Sequence, residues 1–146
     1  MGEPVNPIRS VYLVILLWAA VVSAQSYRLS NPDIIKLRHN NFTDRFLKSV
    51  STAGYLFCST DDMIRLKKSN IDETTILEYS RKKIRIKVHD LERLRKANFS
   101  RSMISLLIDK GYSPTLSVDQ MIEMKKNRVS EEQIRIQAYG PKNANS

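Results

Sequence analysis

The sequence holds a single cysteine, Cys58, with only four glycines and two histidines. One cysteine excludes an internal disulfide, so packing must hold the fold. The thiol is expected in the core as a small apolar residue; pairing between chains is the other reading for an exported protein. With four glycines there is no glycine-rich loop to cradle a phosphate. His39 and His89 have no second His or Cys at metal-ligand spacing, and both are expected on the surface. Carboxylates are scattered, with no paired acids and no nucleophile elbow. No residue is therefore nominated as catalytic, cofactor-binding or metal-binding, and no cofactor or small-molecule substrate is expected.

Acid is scarce relative to base. Lys and Arg number 24 against 15 Asp and Glu, giving a formal net charge of +9. Charge of this kind speaks to partners and solubility, not to fold.

The first residues read as a targeting segment. "MGEPVNPIRS" is polar and carries Arg9; "VYLVILLWAAVV" is an unbroken apolar run from Val11 to Val22. Val22-Ser23-Ala24 fits the small-residue rule for signal cleavage, which would release a chain beginning at Gln25. The run is shorter than the roughly 20 apolar residues of a membrane span. Residues 1–24 are thus read as a signal peptide and the protein as secreted or periplasmic. The alternative is an uncleaved N-terminal membrane anchor. An exported protein is not expected to meet nucleic acid. Lipid headgroups, an acidic glycan or an acidic protein face are the anions it would encounter.

What the remaining chain has in abundance is repetition. Leu37, Leu66, Leu94 and Met124 recur at intervals of 29, 28 and 30 residues, inside "DIIKLRHNNFTDRFL", "DMIRLKKSNIDETTI", "DLERLRKANFSRSMI" and "QMIEMKKNRVSEEQI". The first half of each copy has apolar residues at helical spacing, such as Ile34 with Leu37 and Met63 with Leu66. Ser30, Ser59 and Ser117 precede three of these helices as N-caps, Pro32 sits in a first turn, and Asp33, Asp62 and Asp90 suit the positive end of the helix dipole. The second half opens on an apolar residue and a cap: Phe42-Thr43, Ile71-Asp72, Phe99-Ser100 and Val129-Ser130. Leu47, Ile76, Ile104 and Ile134 follow four residues past each cap, which is the spacing of a hydrophobic staple. Ser130 with Gln133 has capping-box spacing. The second helices are expected to end near Gly54, Arg81-Lys82, Gly111 and Gly140.

Short amphipathic hairpins cannot bury their apolar faces alone, whereas stacked copies can. The expected fold is all-α: four tandem helix-turn-helix repeats of about 28–30 residues over 25–140, as a solenoid stub or a small closed bundle, with a disordered tail at 141–146. "RKKIRIKV" alternates like a strand; an extended linker is preferred, with Ile86 in the role of Phe57 and Leu116. Tyr55 and Tyr112 lie at matching inter-repeat turns and are expected to pack between units.

The pattern apolar-x-x-Leu-Lys-Lys-x-x-apolar-Ser/Asp-x-x-x-Ile, from Ser30 to Tyr139, resembles short bacterial helical-hairpin modules of the SHOCT type. Where those modules tend to carry a glycine ahead of the second helix, this chain has Asn41, Asn70, Asn98 and Arg128. The resemblance implies an interaction or oligomerisation module, often beside a membrane, with no catalytic residues.

One position is basic in every copy: Arg38-His39, Lys67-Lys68, Arg95-Lys96 and Lys125-Lys126. Bases there offset the negative end of a helix dipole and solvate a face. In a stack they would also form a ladder at roughly one helix diameter, about 8–10 Å. Lys67, Lys68, Arg95, Lys96, Lys125 and Lys126, with Arg81, Lys82 and Lys83 of the linker, are the candidate contacts for an anionic surface or a protein partner. Two sequons, at Asn41 and Asn98, would be glycan acceptors in a eukaryotic secretory protein; both also follow from the repeat's own cap grammar. The functional expectation is an exported, non-enzymatic interaction or adaptor module, with a basic polyanion-binding protein as the alternative. Oligomerisation is left open.

Overall fold

A computed structural model describes residues 26–83 and 86–141. The expected signal peptide, its cleavage point at Ala24-Gln25 and the tail beyond Pro141 lie outside these residues. The described chain forms eight short helices: α1 (Asn31–His39), α2 (Asp44–Ser51), α3 (Thr60–Lys68), α4 (Glu73–Arg81), α5 (Val88–Lys96), α6 (Arg101–Lys110), α7 (Val118–Lys126) and α8 (Glu131–Tyr139). They pair as four hairpins. Among the described residues there is no strand, only an isolated antiparallel bridge between Tyr27 and Leu56.

The caps start the helices where the sequence places them. Thr43, Asp72, Ser100 and Ser130 are extended and accept a hydrogen bond from the N–H three residues on. Ser30, Ser59 and Ser117 do the same for α1, α3 and α7. Ser30 and Ser117 form full capping boxes. Ser130 does not: its hydroxyl donates to Gln133 Oε1 at 3.3 Å, so the expected return bond to the cap's own N–H is replaced.

The corner inside each hairpin is the same object four times. Asn41, Asn70, Asn98 and Arg128 adopt left-handed φ values of 62°, 59°, 61° and 62°. The N–H of each donates three residues back, and the next residue's N–H donates five back: Phe42 to Leu37 (3.3 Å), Ile71 to Leu66 (3.1 Å), Phe99 to Leu94 (3.1 Å), Val129 to Met124 (3.0 Å). This is the Schellman closure, which satisfies carbonyls that the ending helix leaves open. Asparagine serves because its short polar side chain tolerates the left-handed region better than most. The apolar residue of the corner then closes the first helix and precedes the cap of the second. Phe42, Ile71 and Phe99 are buried, as are Leu47, Ile76, Ile104 and Ile134; Val129 is half-buried.

The hairpins stack in order. First helices contact first helices along one row (α1–α3–α5–α7), second helices contact along another (α2–α4–α6), and every substantial helix contact stays within a repeat or joins adjacent repeats. The open stack, not the closed bundle, is the form adopted. One continuous core runs through it, from Leu37 and Val50 to Met121 and Ala138. In the last repeat Glu123 stands where Lys36, Arg65 and Arg93 stand in earlier copies, and exposed Gln133 stands where buried Phe46 and Met103 stand.

Between repeats, the apolar residue just before each first helix differs from expectation in one copy. Ile86 is buried and Leu116 half-buried as anticipated, but Cys58, 2% exposed, holds this place in the second repeat. Phe57 turns outward at 37%. Cys58 directly precedes the cap Ser59, and that register decides the matter. Tyr55 is also corrected: it is 66% exposed and packs nothing together. Tyr112, in the turn after α6, is tied through its hydroxyl to the start of α5. α5 starts at Lys87, whose side chain makes no cap bond. The Lys87 N–H donates instead to Tyr112 Oη at 3.0 Å, and that hydroxyl donates to Asp90. A tyrosine from the turn after α6 thus accepts from the N–H of the N-cap residue, where the acid of a capping box would act, and the place of the cap side chain stays unfilled.

Candidate binding edge at the repeat turns

The two members of each dibasic position have different fates. The inner members are tied into the stack. Lys67 Nζ donates to the Asn41 carbonyl of the preceding corner (2.5 Å) and to Glu73, and lies 4.4 Å from the centre of the Phe42 ring. Arg95 Nε donates to the Asn70 carbonyl (3.0 Å) and Arg95 Nη1 to the Phe99 carbonyl (2.9 Å), linking two corners. Lys125 donates to Glu131 (2.5 Å) and sits 5.4 Å from the Phe99 ring centre. Arg38, with no described repeat before it, pairs with Asp44 of its own hairpin at 2.8 Å.

The second helices are coupled through their caps. Glu73 accepts from the N–H (3.0 Å) and hydroxyl (2.5 Å) of Thr43, the cap one repeat earlier. Glu131 accepts from the N–H (2.9 Å) and hydroxyl of Ser100 in the same way. Burial raises both carboxyls, but the bonds from Lys67 and Thr43, and from Lys125 and Ser100, outweigh it and hold both below the ordinary glutamate value. In the third repeat the sign inverts. The preceding cap is Asp72, and Arg101 stands at the glutamate position, 3.2 Å from it.

The first helices are joined by Lys36–Asp61 (2.6 Å), Arg65–Glu92 (2.7 Å) and Arg93–Asp119. Among the described residues every carboxylate except Asp33 pairs with a base. Asp33 accepts from Ser30 and Thr60 instead, and the Ser30 bonds pull its carboxyl down.

The net positive charge therefore resides on bases without an acid partner. At the turns these are Lys68 and Lys96, the outer members of the middle repeats, while the outer Lys126 keeps a long pair with Glu123. Lys68 and Lys96 are exposed and make no ion pair or hydrogen bond among the described residues, and Lys126 has only a 3.8 Å contact with Glu123, both side chains about two-thirds exposed. His39, at the matching place in the first repeat, is exposed too. Two residues on, Asn41, Asn70 and Asn98 are exposed, with carboxamides that make no hydrogen bond in the described chain. The linker bases are less available. Lys82 bonds Glu78 (3.1 Å) and Asp109 (2.8 Å), Arg81 reaches the Ser49 carbonyl (3.3 Å), and Lys83 makes no bond among the described residues.

Little else in the described chain carries chemistry. No group of His, Cys, Asp and Glu residues there could hold a metal ion. No buried side-chain nitrogen or oxygen lacks a partner. Burial, with Asp62 adding to it, pushes the Cys58 thiol up to about 12, so it is a core residue and not a thiolate nucleophile. The surface clefts lie between repeats; one of about 430 Å³ is lined by Asp90, Arg93, Tyr112 and Asp119, whose polar groups already serve one another. No described helix is long and apolar enough to cross a membrane. Comparison with protein-family models, with curated proteins and with solved structures finds no match for this chain.

Proposed function

We propose that the protein is a non-enzymatic interaction module whose partner is engaged across several repeats. The observation that carries this reading is the division of labour within the dibasic positions. The inner bases fix the spacing of successive corners, while the outer bases are left exposed in the same register. A stack with its interior polar groups satisfied has extended surface to offer a partner. Export, with cleavage between Ala24 and Gln25, belongs to the same proposal.

The unpaired turn bases favour a second, narrower reading in which the partner is anionic. Both are tested by isolating a partner from the native compartment under cross-linking, purifying it and titrating it against the chain. Hydrogen-exchange protection contiguous over at least two repeats is expected. Protection confined to one repeat, or spread evenly over both helix rows, overturns the module reading. For export, N-terminal sequencing is expected to start at Gln25; an intact Met1 form embedded in membrane overturns it.

A further inference from the structure

We infer that the turn edge binds a linear anionic polysaccharide, with one acidic group per repeat held by Lys68, Lys96 and Lys126 and neighbouring hydroxyls held by the Asn70 and Asn98 carboxamides. This rests on the module reading and deepens it. Three observations carry it.

The first is periodicity. Stacked helices sit about 8–10 Å apart, so the outer bases recur at about that pitch along one edge. A ligand that meets all of them must carry anions at a regular interval of its own. A polysaccharide has that interval built into its repeat unit, whereas an acidic peptide has it only by accident of sequence.

The second is the pairing of chemistries. Each middle turn offers an unpaired ammonium and, two residues on, an unbonded carboxamide: Lys68 with Asn70, and Lys96 with Asn98. The ammonium suits a carboxylate or sulfate, and the carboxamide can both donate to and accept from a hydroxyl. The left-handed backbone at both asparagines, pinned at Asn70 by Arg95, fixes the main chain from which these groups project.

The third separates a polymer from a membrane. Stable attachment to an anionic leaflet generally needs buried apolar area or a second anchor besides charge. Of the apolar side chains of these corners, Phe42, Ile71 and Phe99 are at most 5% exposed and Val129 is half-buried, so the edge has little to insert.

The test uses the full mature chain and size-defined heparin oligosaccharides, measured by calorimetry at several salt concentrations. Affinity is expected to climb with oligosaccharide length until the chain spans the turns, then level off. A Lys68→Gln, Lys96→Gln, Lys126→Gln variant should lose at least about tenfold, with a flatter salt dependence. Asn70→Ala with Asn98→Ala should lose severalfold with the salt dependence unchanged. The same charge removed from Lys48, Lys83 and Lys110 should cost much less. All variants must keep the parent's helical circular dichroism and melting point. Length-independent binding, or equal losses in the turn and control variants, overturns the inference. Binding to polyglutamate or to phosphatidylserine vesicles with no binding to the oligosaccharides also overturns it, but leaves the module reading standing. Failure of all three probes removes the anionic partner as well.

Discussion

Glu73 accepts two hydrogen bonds from Thr43, thirty positions earlier, and so satisfies the helix cap of the repeat before its own. The relation recurs as Glu131 with Ser100 and reverses its charge as Arg101 with Asp72. A hydroxyl cap meets a glutamate and a carboxylate cap meets an arginine, so each interface is specified by a residue pair.

That pairing rule predicts a rescue. Arg101→Glu alone places two acids together and should destabilise the fold by about 1 kcal/mol, a typical coupling for residues in contact. Adding Asp72→Ser recreates the Ser100–Glu131 arrangement and should restore most of the loss. Urea midpoints of both single variants and the double measure the coupling; strictly additive values contradict the rule.

The same carboxylates set an acid limit. Glu73 and Glu131 have folded-state pKa values below their unfolded values. Their contribution is therefore fully present above the unfolded glutamate value of about 4.3 and is lost as pH falls through the lower folded value. Stability should hold from neutral pH to about 5 and decline below it. Glu73→Gln should be less stable at neutral pH and less acid-sensitive than the parent. Parallel pH curves for the two proteins contradict this assignment.

Tyr112 braces the start of α5, accepting from the Lys87 N–H and donating to Asp90. Tyr112→Phe should cost about 1 kcal/mol, the usual worth of a hydrogen bond whose partner is left unsatisfied. Asp90→Ala removes the other partner of the hydroxyl, so the two changes together should cost less than their sum in urea unfolding. Strictly additive costs would show that the hydroxyl does not act at the α5 start.

Ile76 and Ile104, 0% and 1% exposed, hold the second helices of the middle repeats to the core. Each Ile→Ala change should cost roughly 2–5 kcal/mol in equilibrium unfolding, as buried truncations do. Values near zero would mean that the middle corners do not organise the stack.

Much of this was legible in the sequence. The repeat period, the seven side-chain caps and the apolar pair at each corner are local patterns, set by helix periodicity and the need to satisfy backbone N–H groups. The left-handed residue was readable in hindsight as an asparagine in three copies, but Arg128 in the fourth hid it. What a single chain does not display is the stacking register. Lys67 and Lys68 look alike in sequence; one bonds the previous corner and the other faces water because their helix positions differ relative to the neighbour. Tyr112 likewise takes meaning only from the Lys87 N–H that folding brings to it. The choice of open stack over closed bundle was also settled by contacts between repeats, whereas Cys58 over Phe57 inward follows from the cap register at Ser59.

The account depends on four corners of one conformation. Backbone chemical shifts and three-bond HN–Hα couplings of Asn41, Asn70, Asn98 and Arg128, measured by NMR, report φ at each directly. All four should show the left-handed signature. A right-handed or averaged value at Asn70 or Asn98, the two middle corners, would contradict a stack built from one repeated turn.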